Sequence, residues 1–178
     1  MPRAIAPLID QILEPGDSLH LAEHIWQVVA LPGHTAEHIG FYLAGSPGHL
    51  FSGDTLFSCG CGRAFYSVDK LFDSIAWIRG LPPDTWLYPS HEYTAANWRF
   101  ALAVEPNNPD LISLGSRING FGAANPSLPV QLSEELRRNP FLRYDHISVQ
   151  KSAQLASGSS FKCDRDVFSA LRAWKNVF

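Results

Sequence analysis

Three separated stretches of the chain each set a strong metal ligand in a turn that follows an apolar run. They are Pro32-Gly33-His34-Thr35, Ser52-Gly53-Asp54-Thr55 and Pro89-Ser90-His91-Glu92-Tyr93-Thr94. Two imidazoles and a carboxylate carried on strand ends can converge on Zn²⁺ or a similar ion, an arrangement that neither a core nor a solvated surface requires. Asp54 has two carboxylate oxygens and is able to bridge two cations, which makes it the candidate catalytic group; its structural alternative is an Asx turn or a helix cap. Three ligands do not fill a two-metal centre. His38 and His24 lie in or beside strand patterns and are assigned packing or supporting roles. The His20/His24 pair lacks the helix that its spacing would need, and His49 and His146 are assigned nothing.

The elements that must position these groups are short. Residues 24–31, 38–44 and 49–52 read as strands, rich in Val, Ile, Phe and Tyr and bounded by Gly, Pro or Ser. Ser67 caps an expected helix with Leu71, Ile75 and Ile78 on one stripe, stopped by Gly80 and Pro82-Pro83, and a strand at 86–88 follows directly. Strands, helix and strand in that order make an α/β layer whose ligands collect beyond the strand ends. After His91 the pattern turns helical. A helix is expected over 95–104, broken by Pro106-Asn107-Asn108-Pro109, then a loop at 119–131 and a helix from Asp166 with Val167, Leu171, Trp174 and Phe178 on one face. No further strand is expected there.

Composition narrows the function classes. With 178 residues and 46% apolar content the chain can bury a proper core. A formal charge of −3 offers no global basic field, so nucleic acid is an unsuitable partner and anionic ligands must meet local Arg or Lys. No apolar run is long enough to span a membrane, and Met1-Pro2-Arg3-Ala4 lead into no secretory apolar region, so a soluble, cytoplasmic protein is expected. Cys59, Cys61 and Cys163 are odd in number, and Cys59-Gly60-Cys61 is too tight for a Cys-x-x-Cys site; the first two read as small residues in a crowded glycine turn.

Taken together, Pro32-Gly33-His34-Thr35-x-x-His38-Ile39, Phe51-Ser52-Gly53-Asp54-Thr55-Leu56-Phe57, Gly60-Cys61-Gly62-Arg63 and His91-Glu92-Tyr93-Thr94 resemble glyoxalase II, the hydroxyacylglutathione hydrolase branch of the metallo-β-lactamase fold. The tail, with Asn139-Pro140-Phe141-Leu142-Arg143 and Val167-Phe168-x-x-Leu171-Arg172-x-Trp174-Lys175-Asn176, is similar to that family's C-terminal domain. The resemblance implies part of an αββα sandwich over residues 1–96 and a helical substrate-binding domain over 97–178. It implies hydrolysis of S-(2-hydroxyacyl)glutathione thioesters at a binuclear zinc site, with iron or manganese as alternative metals. His34 would bind one metal, His91 the other, and Asp54 would bridge them. Arg63, Phe65, Tyr93, Arg137, Arg138 and Arg143 are the candidate contacts for glutathione, with Phe65 near a position where the family can carry a Tyr.

The family's other ligands come from a Thr-His-x-His-x-Asp-His segment, and these 178 residues contain none. The chain is therefore expected to be a partial form, weak in zinc and in hydrolysis alone, with an exposed apolar sheet edge. The rival class is a noncatalytic remnant or glutathione-binding module. A lactonase or a mononuclear-iron dioxygenase on the same scaffold is disfavoured by Gly60-Cys61-Gly62-Arg63 and by the helical tail.

Overall fold

The computed structural model describes residues 11–122 and 124–178, so the reading of the first ten residues lies outside the described part. Eight strands and six helices follow along it: β1 Ser18–Leu21, β2 His24–Ala30, β3 Ile39–Leu43, β4 His49–Gly53, β5 Leu56–Phe57, β6 Gly60–Cys61, α1 Val68–Arg79, β7 Trp86–Pro89, α2 Thr94–Val104, α3 Pro109–Ile118, β8 Val130–Gln131, α4 Leu132–Arg138, α5 Ile147–Ser157 and α6 Asp164–Val177. Six strands form one sheet in the order β1-β2-β3-β4-β7-β8, and β5 and β6 make a separate hairpin. All neighbours run antiparallel except β4 and β7, which are joined through α1.

Pleating decides which residues enter the core. Tyr42, Leu50, Leu87 and Val130 stand in register across four strands and are buried against Leu71, Ile75 and Ile78 of α1. The opposite face carries a row of aromatic rings: Trp26 lies 5.3 Å from Phe51, which stacks on Tyr88 at 4.9 Å. Phe51 of β4 is 44% exposed, and Leu21 of β1 and Ile25 of β2 are exposed as well. Ser67 caps α1 as its type and place predict, accepting the Lys70 amide.

The helical tail departs from the expectation in one place. The loop at 119–131 ends in a strand, β8, which returns to pair with β7 and closes the sheet on that side. Only two residues pair, too few for a period-two pattern to show. The break expected at Pro106-Asn107-Asn108-Pro109 is present, with α2 ending at Val104, and Pro109 then begins α3. Asn108 caps α3 by accepting the Asp110 and Leu111 amides, and proline suits a first-turn position whose N–H has no intrahelical partner. One apolar cluster contains Leu50 and Ile75 as well as Phe141, Phe168 and Leu171, so sheet and helices share a core. The division expected between residues 96 and 97 falls inside α2.

Candidate metal centre and its cavity

The three turns meet. Gly33 holds a positive φ of 142°, and a Cβ there would come within 2.4 Å of the Leu71 Cα, so glycine lets the β2 exit pass tightly over α1 before His34. Gly53, at φ 55°, plays the same part before Asp54, with His38 packed where a Cβ would go. Parallel pairing of β4 with β7 continues through a Ser90 N–H to Gly53 C=O bond and brings His91 beside Asp54. The carboxylate ends up between the two rings: Oδ2 lies 3.8 Å from His34 Nε2 and Oδ1 lies 3.3 Å from His91 Nε2.

Supporting bonds orient each member. The Arg63 carbonyl, 2.9 Å from His34 Nδ1, can only accept, so it assigns the proton to Nδ1 and leaves Nε2 as the free lone pair facing Asp54. His38 Nε2 accepts the Asp54 amide at 3.0 Å, and burial holds this ring below its ordinary range despite the nearby Asp54 charge. It is a supporting group, as its strand position implied. Ser90 donates to Asp54 Oδ1 at 2.9 Å, a contact that nothing in the sequence marks beyond its place before His91. His91 stacks on Tyr93, with ring centres 5.0 Å apart and planes 21° apart.

The trio borders a cavity of about 750 Å³. On the sheet side its lining includes Arg63, Phe65 and Tyr93; Phe65 is 71% exposed, its ring 5.2 Å from that of His34. The opposite wall is helical: Asn97 and Arg99 from α2, Arg172 and Lys175 from α6, and Phe178. Arg172 is nearly buried and donates to the Cys61 and Gly62 carbonyls at 3.0 and 3.2 Å. Burial pulls the Lys175 ammonium down to about 8. Cys61 also lines the cavity, but burial pushes its thiol up, so it stays a neutral wall rather than a nucleophile.

Three expected glutathione contacts lie elsewhere and are withdrawn from this site. Arg137 donates to Asp110 and to the Ser133 carbonyl on the outer face of α4. Arg138 is buried between Glu134 and Glu135. Arg143 is held by Glu105 at 2.7 Å. The reason is electrostatic: each guanidinium meets a carboxylate of the helical layer, and the buried pairs of Arg138 and Arg143 are costly to break. Lys175 and Arg172 take their place on the wall. Their signal was present in the Leu171-Arg172-x-Trp174-Lys175 spacing, which sets two cations three residues apart on one helix face.

The donor set fits metal in a specific way. Among the described residues, no three His, Cys, Asp or Glu side chains group closely enough to hold one ion. Instead each oxygen of Asp54 faces a different imidazole, which suits a carboxylate shared by two cations with one histidine on each. Further donors would have to complete both.

Comparison with known proteins matches both the sheet and the helical tail. The metallo-beta-lactamase superfamily model matches residues 1–115, and that of the hydroxyacylglutathione hydrolase C-terminus matches residues 92–178. Hydroxyacylglutathione hydrolase of Rhodobacter capsulatus is 44% identical over 174 residues, covering 97% of this chain and 66% of that protein. Its counterpart in Vibrio parahaemolyticus is also 44% identical, covering 97% and 67%. The chain thus spans about two thirds of the length of these curated relatives. A metallo-beta-lactamase structure from Staphylococcus aureus superposes with a TM-score of 0.53 at 20% identity, covering 92% of this chain and 42% of that one, and so shares the fold. With sheet and helical tail each matched in order, the chain belongs to the hydroxyacylglutathione hydrolase family of the metallo-β-lactamase superfamily.

Proposed function

We propose that this chain carries the bridging half of a binuclear site, together with the glutathione wall, of an enzyme that hydrolyses S-(2-hydroxyacyl)glutathione thioesters to glutathione and a 2-hydroxy acid. The observation that carries the reading is the Asp54 carboxylate divided between His34 and His91 at a cavity whose far wall holds Arg172 and Lys175. His34 and Asp54 would hold one cation, His91 and Asp54 the other, with zinc preferred for an imidazole and carboxylate set and iron or manganese as alternatives. When bound, the pair supplies a water of lowered pKa and an electrophile for the thioester carbonyl.

The chain's own groups do the rest. His34 is fixed in the right tautomer by the Arg63 carbonyl, and Ser90 steadies Asp54. Lys175 and Arg99 offer positive charge to the carboxylates of glutathione, while Phe65 and Tyr93 present ring faces beside the metal ligands. The leaving thiolate has a conjugate acid near roughly pKa 8.5, so no strong general acid is needed and Tyr93 serves to position substrate.

Two arms test the proposal. The 178-residue polypeptide alone is expected to bind a nonhydrolysable S-alkylglutathione, to take up zinc weakly and to hydrolyse S-lactoylglutathione negligibly. Joined behind a family segment that supplies His-x-His-x-Asp-His, it is expected to hold zinc in stoichiometric amount and turn the thioester over. Stoichiometric zinc with rapid hydrolysis by the polypeptide alone would overturn the divided site. Failure of the joined protein to hydrolyse the thioester, with its zinc full, would overturn the thioesterase reading.

A further inference from the structure

Glu135 lies on α4, touches neither the strand-end turns nor the cavity, and is fully buried. Its two oxygens both reach the turn of the β5–β6 hairpin, and Oε1 also pairs with the buried Arg138 guanidinium at 2.9 Å. Oε2 accepts the Cys59 amide at 2.7 Å and Oε1 accepts the Ser58 hydroxyl at 3.0 Å. Asn139 reinforces the hold by donating to the Phe57 and Gly60 carbonyls at 3.0 and 3.1 Å, and to Glu135 itself. The turn needs holding, because Cys59 adopts a left-handed φ of 57° without being glycine.

What leaves that turn is the site. Four residues on from Cys59, the Arg63 carbonyl receives the His34 Nδ1–H, and between them Gly62 is pressed so close to the Asp54 carbonyl oxygen that a Cβ would lie 1.9 Å from it. On the other strand, Phe57 abuts His91 and Tyr93, with ring centres 6.2 and 5.3 Å away. We propose that Glu135 is a positioning residue for His34, setting the tautomer and the aim of its ring through the main chain of the hairpin. A carboxylate 101 positions from His34 in sequence thereby governs which imidazole nitrogen is left free for a metal. The inference rests on the assignment of His34 to the site made above, and its readout requires neither metal nor substrate.

Glu105 supplies the control. It is buried too and accepts from Arg143, Ser148 and Asn108, but it touches nothing on the hairpin. The test is nitrogen NMR of the histidine rings in the metal-free full chain at one alkaline pH, reading the ratio of Nδ1–H to Nε2–H forms at His34. Glu135→Gln is expected to lower that ratio roughly two- to tenfold, the span that one weakened hydrogen bond allows. Glu105→Gln is expected to leave it unchanged while lowering the unfolding midpoint. If Glu135→Gln does not fold, Asn139→Ser loosens the same hairpin and is expected to move His34 the same way. An unchanged ratio in a folded hairpin variant, or an equal change in Glu105→Gln, would overturn the proposal. A failed thioester assay with this ratio shifted would count against the proposed activity alone.

Discussion

The two walls of the cavity are built on different principles. The sheet wall takes one candidate ligand from each of three turns, and every turn is announced locally by a glycine, a proline or a serine beside that residue. The helical wall takes Asn97 and Arg99 from one helix and Arg172 and Lys175 from another, with no turn to announce them. A strand end fixes its next residue through backbone geometry, whereas a helix side chain acquires a role only once packing chooses its face. The contrast predicts that the sheet wall breaks through the backbone and the helical wall through charge.

The largest effect should come at the backbone. Gly62→Ala puts a Cβ 1.9 Å from the Asp54 main-chain oxygen, and neither partner is a flexible side chain that can turn away. We expect a loss of about 3 kcal/mol or more in a urea titration, together with loss of the His34 Nδ1–H signal. Gly115→Ala on the helical side meets the Trp98 ring edge at 2.6 Å instead. The clash there is with a side chain rather than with main chain, so about 1–2 kcal/mol is expected, with His34 unchanged. Equal damage from both would erase the distinction between the walls.

Next in size is Arg172→Met, which keeps much of the apolar stem and removes the guanidinium from the Cys61 and Gly62 carbonyls. Leaving two buried carbonyls without that donor should cost about 2–3 kcal/mol of stability, and S-alkylglutathione binding should fall with it. A variant that binds the analogue normally would remove Arg172 from the wall.

These cases show what the sequence made legible. That His34, Asp54 and His91 meet follows from their turns, and the buried stripe of Leu71, Ile75 and Ile78 from helical spacing, because backbone chemistry and burial periodicity are written locally. Arg137, Arg138 and Arg143 were misplaced because an arginine is equally at home against a substrate carboxylate or against Asp110, Glu135 and Glu105, and only tertiary structure chooses. The strand β8 and the hairpin β5–β6 were missed for a different reason. Each strand is two residues long, and their pairing depends on partners that the chain brings from elsewhere.

A pH series sharpens the charge side of the comparison. Burial holds the Lys175 ammonium at about 8, below its ordinary 10.5, so the group loses its proton as pH rises through 8. Binding of an anionic S-alkylglutathione should then weaken, approaching roughly tenfold per pH unit if one proton is linked to it. Lys175→Arg should keep its affinity at alkaline pH, and Lys175→Met should bind weakly with no such slope. For folding the sign is opposite: the buried charge costs stability below about 8, and that cost fades between 8 and 10.5 as the folded group deprotonates first. A flat binding profile in the parent chain would separate Lys175 from the ligand.

The smallest effect belongs to Arg137, and its smallness is the point. Its side chain is 55% exposed and pairs with a half-exposed Asp110 at 2.9 Å, outside the cavity. Solvent screens such a pair, so Arg137→Ala should cost no more than about 1 kcal/mol of stability and leave S-alkylglutathione affinity within twofold or so of the parent. Isothermal titration of the two proteins side by side decides it. A tenfold loss would mean that bound ligand reaches round α4 to the outer face, and that the glutathione wall is wider than Asn97, Arg99, Arg172 and Lys175. An unchanged affinity confines recognition to the helix faces that look toward His34, Asp54 and His91. Arg137 is then a surface residue of its own layer, and the cations left to face the ligand are Arg99 from α2 with Arg172 and Lys175 from α6.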